Sequence, residues 1–136
     1  MDDKKLLALA REAAQQAYCP YSHFQVGAAL LTRDGVVFKG CNVENASYGL
    51  TLCAERAAVC AAISAGARDF EAIAIVATRL ATPCGACRQF LAEFVSPAFR
   101  VLVASLSAPD QYDIYTLEAL LPHHFVLENN EIKDPT

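Results

Sequence analysis

Two short segments of this 136-residue chain hold residues whose types and spacing suit metal chemistry. They are residues 53–55 (CAE) and residues 83–87 (PCGAC). Cys84 and Cys87 are spaced to bind one ion from a single helical turn, and Cys53 adds a third sulfur. Zinc suits such a set because it is borderline soft, redox-silent and usually tetrahedral. We therefore predict a zinc site formed by these three cysteines.

The fourth coordination position decides what kind of zinc site this is. A structural site is closed by a fourth protein ligand, whereas a catalytic site keeps one position for water. Cys60 lies two helical turns beyond Cys53, roughly 10 Å along a helix, and is too distant to share its ion. The three histidines show no metal-binding spacing, so Cys41 is the one serious competitor. We expect water there, and we expect Cys19, Cys41 and Cys60 to be buried as small apolar side chains.

Glu55 follows Cys53 by two positions and is poorly placed to be a ligand itself. A carboxylate at this position is near enough to the metal-bound water to take its proton and deliver it to a substrate nitrogen and a leaving amine. Arg56 and Arg88 directly follow Glu55 and Cys87. We expect their guanidinium groups to donate hydrogen bonds to the sulfurs and to reduce the net negative charge.

The pattern of apolar residues predicts the elements that position these segments. A helix over 3–18 precedes two strands that form a hairpin, and two further strands alternate with helices that begin near residues 52 and 84. This order predicts an α/β protein with three α/β/α layers and a mixed central sheet opened by an antiparallel hairpin. Cys53 and Cys84 then lie at helix N-termini, which favour thiolates. The predicted strands cover residues 24–32, 36–43, 71–78 and 100–106; a loop covers 109–112 and a short helix 116–121.

Composition narrows the class of protein. The length predicts a single domain over residues 1–136, with a polar tail from about residue 129. The chain is 54% hydrophobic with a net charge of −4, and its 11 scattered Lys and Arg residues disfavour nucleic-acid binding. No apolar run reaches the roughly 18–20 residues of a membrane span, and no signal-peptide pattern is present. We expect a cytoplasmic protein whose apolar surplus is compatible with self-association.

Residues 41–56 (CNVENASYGLTLCAER) and 83–89 (PCGACRQ) resemble those of the small, homotetrameric, zinc-dependent cytidine deaminases. The resemblance runs from about Tyr18 to Phe125 in order and spacing. It implies one Zn²⁺ per chain on the three cysteines, with Glu55 as the proton shuttle. The implied reaction is hydrolytic deamination of cytidine and 2′-deoxycytidine to uridine and 2′-deoxyuridine, with attack of a zinc-bound hydroxide on C4 and release of ammonia.

The same resemblance implies how the nucleoside is held. Phe24 matches an aromatic residue that stacks against the base, and Asn42 and Glu44 match residues that hold the ribose hydroxyls. The backbone around Ala54 and a carbonyl at residues 82–83 would read the pyrimidine edge and its amine.

A further implication of the resemblance concerns assembly. Tyr48 and Phe125 match residues that contribute to a neighbouring subunit's site in the homotetramers. The chain departs from the family pattern at Cys19, where a small residue such as alanine is expected, and in a short stretch before Pro83. Neither departure affects the metal-binding segments.

Three alternative functions remain open at this point. The first is deamination of another aminopyrimidine nucleoside, such as a blasticidin-type antibiotic, against which Asn42 and Glu44 argue because they imply a ribose. The second is a structural zinc module, which requires four protein ligands. The third is editing of RNA or DNA, which the absence of a basic surface opposes.

Overall fold

The computed structural model describes residues 1–127, and within them the chain forms a sheet flanked by helices. The sheet has five strands in the order β2-β1-β3-β4-β5. The strands are β1 (Val26–Thr32), β2 (Val37–Cys41), β3 (Phe70–Ala77), β4 (Arg100–Ser105) and β5 (Ala108–Thr116). The helices are α1 (Asp3–Ala14), α2 (Ala54–Ser64), α3 (Gly85–Ala92) and α4 (Leu117–Leu120), and residues 48–50 form one 3₁₀ turn. The predicted polar tail from about residue 129 lies outside the described residues.

The sheet is mixed, as the sequence predicts. Strand β1 pairs antiparallel with both β2 and β3, so the opening hairpin is confirmed. Strands β3 and β4 are parallel because α3 crosses over between them. Strand β5 closes the far edge antiparallel to β4.

Both faces of the sheet are covered, which explains why its central strands are almost continuously apolar. Ala29 and Leu31 of β1 pack on the face that carries α1. Ala28 and Leu30 alternate with them and pack on the opposite face, in the cluster that contains the buried side of α2. The three-layer α/β/α arrangement is therefore confirmed.

Two glycines set the distance between helices and sheet. A Cβ atom on Gly27 would overlap the backbone of Ala10 and Ala14 in α1. A Cβ atom on Gly40 would lie 2.5 Å from the Ala58 nitrogen and 2.6 Å from the Ala54 oxygen of α2. The absence of a side chain at Gly40 lets the first turns of α2 lie directly on β2.

Helix α1 ends at Ala14, four residues before the predicted end at Tyr18. The Tyr18 amide donates to the Asn42 carbonyl at 3.0 Å, and the Tyr18 carbonyl accepts from the Glu44 amide at 2.8 Å. This short parallel bridge cannot coexist with helical hydrogen bonding at Tyr18. It ties the segment after α1 to the one after β2.

The prediction of a loop over residues 109–112 is wrong, because these residues belong to β5. Strand β5 is an edge strand with mostly exposed or half-buried residues, so its sequence lacks the apolar pattern that marks the central strands. Proline is tolerated at such edges. The register with β4 also shifts here, from Ala104 opposite Tyr112 to Ser105 opposite Ala108.

The predicted burial of three cysteines is also wrong. Cys19 and Cys41 are half-buried and Cys60 is exposed. Cys60 lies on the outer side of α2, away from the buried residues of that helix. In the part of the chain that the structure describes, no helix has the length and apolar character needed to cross a membrane.

Candidate zinc centre and substrate cavity

Three sulfurs meet where α2 and α3 begin. Cys53 and Cys84 are the N-cap residues of these helices, and Cys87 lies in the first turn of α3. Their Sγ atoms all lie within 4.8 Å of one another. Within residues 1–127 this is the one group of three or more His, Cys, Asp or Glu side chains arranged to hold a metal ion. The structure therefore brings together the predicted ligand set.

The donor set fits zinc. Zn–S bonds of about 2.3 Å in a tetrahedron place sulfurs about 3.8 Å apart, which is compatible with separations of no more than 4.8 Å in this cluster. The N-termini of α2 and α3 direct their positive dipole ends towards the sulfurs. Arg56 Nη2 lies 3.4 Å from Cys53 Sγ, and Arg56 Nε is buried without a hydrogen-bond partner among the described residues. A guanidinium held against sulfur in this way suits thiolates that together outweigh the charge of a dication.

The sulfurs do not ionise equally. A hydrogen bond from the Cys87 thiol, together with the Arg56 guanidinium, outweighs partial burial and lowers the pKa of Cys53 to about 5. The same hydrogen bond raises the pKa of Cys87, which donates it, and the burial of Cys87 raises this pKa further. Cys53 therefore becomes a thiolate, which is the form that binds metal, more readily than Cys87.

Cys41, the competing fourth ligand, lies elsewhere. It faces a groove on the α1 side of the sheet with Glu12, Gln16 and Lys39. The adjacent Gly40 faces α2 instead, as alternation along a strand requires. Among residues 1–127, the described side chains thus supply three ligands and leave one coordination position for another molecule.

That position adjoins a cavity of about 200 Å³ lined by Cys53 and Cys84. Glu55 lines it too, although its side chain is only 5% exposed and it is not one of the grouped metal-ligating residues. Burial raises the pKa of the Glu55 carboxyl, and the neighbouring Cys53 sulfur adds to the effect. A carboxyl group with a raised pKa beside a three-sulfur cluster is suited to accept a proton and release it again.

Several residues singled out in the sequence line the same cavity. Phe24, Asn42 and Ala54 are among them, and Thr82 lies opposite on the segment before α3. Thr51, two residues before Cys53, also lines the cavity, and sequence reasoning missed it. The one sequence feature that could have indicated Thr51 is its position two residues before Cys53, a predicted zinc ligand. The remaining lining residues are Val26, Ile75, Ala77 and Ala81.

Asn42 and Glu44 hydrogen-bond to residues 21–26, the segment that forms the rim of the cavity at Phe24 and Val26. Asn42 lines the cavity itself and Glu44 does not. The Asn42 side-chain amide donates to the Phe24 carbonyl at 2.7 Å, and its oxygen accepts from the Val26 amide at 3.0 Å. Glu44 accepts from the Tyr21 and Ser22 amides and from the Ser22 hydroxyl. These bonds, led by the one from the Ser22 hydroxyl, lower the pKa of Glu44.

Tyr48 and Phe125 do not line the cavity of their own chain. Their exposed fractions are 73% and 70%, unusually high for aromatic residues. Tyr48 makes an edge contact with Tyr21, their ring centroids 5.9 Å apart, and the Phe125 carbonyl accepts from the Gln89 side chain at 3.1 Å. The Tyr48 ring and the Phe125 backbone are therefore held by contacts within the chain, and both rings are exposed.

Arg88 has partners other than the sulfur atoms that the sequence suggested. Its guanidinium donates to the carbonyls of Pro83 and Leu120, each at 2.7 Å, and to the Thr82 hydroxyl at 2.8 Å. Arg88 therefore ties the segment before α3 to the end of α4. The sulfur contact expected of both arginines is made in this structure by Arg56.

Comparison with known proteins gives a consistent result. Residues 1–103 match the family described as the cytidine and deoxycytidylate deaminase zinc-binding region. A cytidine deaminase of Halalkalibacterium halodurans is 50% identical over 131 residues, covering 95% of this chain and 98% of that protein. One from Sporosarcina psychrophila is 46% identical, covering 95% of each chain. The crystal structure of cytidine deaminase from Burkholderia pseudomallei superimposes with a TM-score of 0.87 at 46% identity, covering 92% of this chain and all of that one.

The α/β/α fold and the three-sulfur centre beside a buried carboxyl define a zinc-dependent deaminase. The chain belongs to the cytidine deaminase family. Zinc is accordingly the metal for which Cys53, Cys84 and Cys87 are arranged.

Proposed function

We propose that this protein catalyses the hydrolytic deamination of cytidine and 2′-deoxycytidine to uridine and 2′-deoxyuridine, with release of ammonia, in pyrimidine salvage. The observation that carries the proposal is the meeting of a three-cysteine cluster and the buried Glu55 in one small cavity. At about 200 Å³ that cavity is below the range of drug-sized sites and suits a single pyrimidine ring with its sugar at the mouth.

Cys53, Cys84 and Cys87 hold the zinc ion, which when bound acidifies a water molecule and so supplies the nucleophile for C4 of the base. Glu55 would accept the proton of that water and pass it to the ring nitrogen N3. It would then take the proton of the new C4 hydroxyl and deliver it to the amine, so that the C4–N bond breaks, the C4 carbonyl forms and ammonia leaves. Its buried environment favours the protonated form, so the carboxyl holds the proton between these steps. Arg56 offsets the excess negative charge of the thiolates.

The rim residues orient the nucleoside. Phe24 packs against the base, and Asn42 and Glu44 hold the ribose hydroxyls. The position of Asn42 supports this role, since it lines the cavity while its amide fixes the backbone of Phe24. The backbone at Ala54 and a carbonyl at residues 82–83 read the pyrimidine edge and its amine.

The outward-facing aromatic rings favour a homotetramer. Exposed large apolar side chains are common in oligomer interfaces, and Tyr48, Leu50 and Phe125 are each at least 70% exposed in the isolated chain. We infer that Tyr48 and Phe125 complete a neighbouring subunit's site. We also infer a free nucleoside substrate, because a chain with a net charge of −4 does not attract a polynucleotide. We infer a cytoplasmic location as well.

A purified holoenzyme tests this proposal directly. We expect one zinc per chain, a change in ultraviolet absorbance as cytidine becomes uridine, and one ammonia per uridine formed. Cytosine, which lacks the ribose, should be turned over far more slowly than cytidine. If a blasticidin-type nucleoside were preferred over cytidine, the alternative substrate class would replace the proposed one.

A cysteine variant tests the metal site. Cys53→Ala should lose zinc and activity together, because two sulfurs cannot replace a three-ligand site. Cys60→Ala is the matched control, since this exposed cysteine lies on the same helix and should leave both unchanged. Zinc retained at one per chain in Cys53→Ala would contradict the ligand set, and a fourth protein ligand would favour a structural module.

A further inference from the structure

The pairing of β1 with β3 continues beyond the ends of these strands. The last regular pair is Val26 opposite Ala77. The Thr78 amide then donates to the Gln25 carbonyl at 2.9 Å, and the Gln25 amide donates to the Thr78 hydroxyl at 2.9 Å. The Thr78 hydroxyl takes the place of a backbone carbonyl in the second bond, so the strand pairing extends by one pair of residues.

Extending this register by one more position places Phe24 opposite Arg79. Residues opposite each other in an antiparallel pair project from the same face. That face also carries Val26 and Ala77, which line the cavity with Phe24. The Arg79 guanidinium carbon lies 5.1 Å from the centroid of the Phe24 ring, within the range of a cation–π contact.

Phe24 is thus held at both its backbone and its ring. Its carbonyl accepts from Asn42, and its amide donates to the Ser22 hydroxyl at 3.0 Å. These bonds fix the backbone but leave rotation about the side-chain bonds free. Arg79 is the charged group that lies over the ring itself.

We propose that Arg79 is a positioning residue, which holds the Phe24 ring at the rim of the substrate cavity through the cation–π contact and so strengthens nucleoside binding. The inference rests on the proposed contact between Phe24 and the base. Arg79 acts through Phe24 and takes no part in the proton transfers, so its effect falls on binding rather than on the chemical step.

The kinetic test replaces the cation without removing side-chain bulk. Arg79→Met should raise the KM for cytidine about two- to fivefold, the range expected from losing a cation–π contact at an exposed site, with kcat within about twofold. Arg79→Lys should recover most of the loss because the charge returns. Arg33→Met is the matched control, since Arg33 is an exposed arginine paired with Asp69 and does not line the cavity. An Arg79→Met enzyme with wild-type KM would overturn the inference.

A double-mutant cycle asks whether the effect passes through the ring. In a Phe24→Leu background, Arg79→Met should change KM by less than about 1.5-fold, because no ring remains to hold. An undiminished effect in that background would assign Arg79 a role independent of Phe24.

A measurement without substrate separates this inference from the proposed function. In holoenzyme labelled with 4-fluorophenylalanine, the ¹⁹F resonance that Phe24→Leu removes should shift in Arg79→Met and stay unchanged in Arg33→Met. A wild-type enzyme inactive on cytidine would refute the proposed function. An unshifted Phe24 resonance would refute the role of Arg79 whatever the substrate is.

Discussion

The carboxyl group of Glu55 combines two properties that a proton shuttle requires. It lines the cavity beside the cysteine cluster, and its burial raises its pKa towards the pH at which it must both gain and lose a proton. Glu55 occupies the first turn of α2, where the helix dipole stabilises an anion and limits that rise.

Glu55→Gln tests this role with little change in volume. The amide fills the same space but cannot carry a proton, so we expect kcat to fall by about 10²–10⁴-fold, the usual contribution of general acid–base catalysis. Zinc content and thermal midpoint should remain close to wild type. Steady-state kinetics with a metal assay measure both, and near-normal turnover would show that another group moves the proton.

Glu44 gives a prediction about pH. Its hydrogen bonds lower its pKa in the folded protein, so the ionised carboxylate persists above that pKa and is lost as pH falls through it. The Ser22 hydroxyl makes the largest contribution. In Ser22→Ala the pKa of Glu44 should rise, and the acid-side increase in KM should begin at a higher pH.

The measurement is KM for cytidine across the acidic range. Ser96→Ala is a suitable control because Ser96 is an exposed serine before β4, at the end of the sheet opposite the cavity. If the rise in KM at acidic pH begins at the same pH in Ser22→Ala as in wild type, Glu44 does not take part in substrate binding. Because Ser22 also accepts from the Phe24 amide, a uniform change in KM at all pH values would instead reflect Phe24.

At the scale of elements, the cavity depends on how closely α2 approaches the hairpin. The contact at Gly40 places the first turn of α2, with Cys53 just before it, beside the ends of β1 and β3. Helix α3, which carries the other two cysteines at its start, is positioned by Arg88. The Arg88 guanidinium donates hydrogen bonds to Thr82, Pro83 and Leu120. One helix start is thus fixed by close packing and the other by hydrogen bonds.

Gly40→Ala should disturb the zinc centre from a distance. The added methyl group meets backbone atoms of α2 at 2.5 and 2.6 Å, so the helix must move away from the sheet. We expect a loss of about 1–3 kcal/mol in the free energy of unfolding, as for other overpacked sites, and faster zinc loss to a chelator.

Thermal unfolding and chelator kinetics measure these two effects. Gly49→Ala is the control, since a Cβ atom there meets nothing within 4 Å. Equal zinc release from Gly40→Ala and wild type would mean that the centre tolerates movement of α2.

At the scale of the whole molecule, the isolated chain exposes several large apolar side chains. Tyr48, Leu50 and Phe125 are exposed to an extent that water disfavours, and the short segment that carries Phe125 is tied to α3 through Gln89. A homotetramer in which these residues enter a neighbour's site would bury them.

Phe125→Ala should raise the KM for cytidine while leaving zinc content unchanged. Mixed oligomers give the decisive result. A Glu55→Gln subunit lacks the proton shuttle but supplies an intact Phe125, so it should restore a near wild-type KM at the site of an adjacent Phe125→Ala subunit. The measurement is the kinetics of co-expressed, differently tagged chains.

The parent oligomers, each with one variant throughout, are the controls. If mixed oligomers showed no component with restored KM, Phe125 would act within its own chain or only in packing.

The sequence by itself determined the chemistry of the centre and most of the fold. Cys84 and Cys87 are spaced by one helical turn, and Glu55 lies two positions after Cys53, so local geometry groups the chemical residues within each segment. The fold then brings Cys53 to Cys84 and Cys87. The continuous apolar runs of the central strands and the turn at residues 33–35 likewise predict the covered sheet and the hairpin, because these patterns report local burial.

Only the tertiary structure decided the features that depend on distant partners. Tyr18 lies outside α1 because its backbone pairs with Asn42 and Glu44. Strand β5 forms because β4 has an open edge with which it can pair. Arg88 bonds to carbonyls rather than sulfurs, and Arg79 lies over the Phe24 ring. The contacts of Tyr18, the bond from Arg88 to Leu120 and the contact of Arg79 join residues far apart in the chain. The free energy of such a contact is set by the folded arrangement rather than by local sequence.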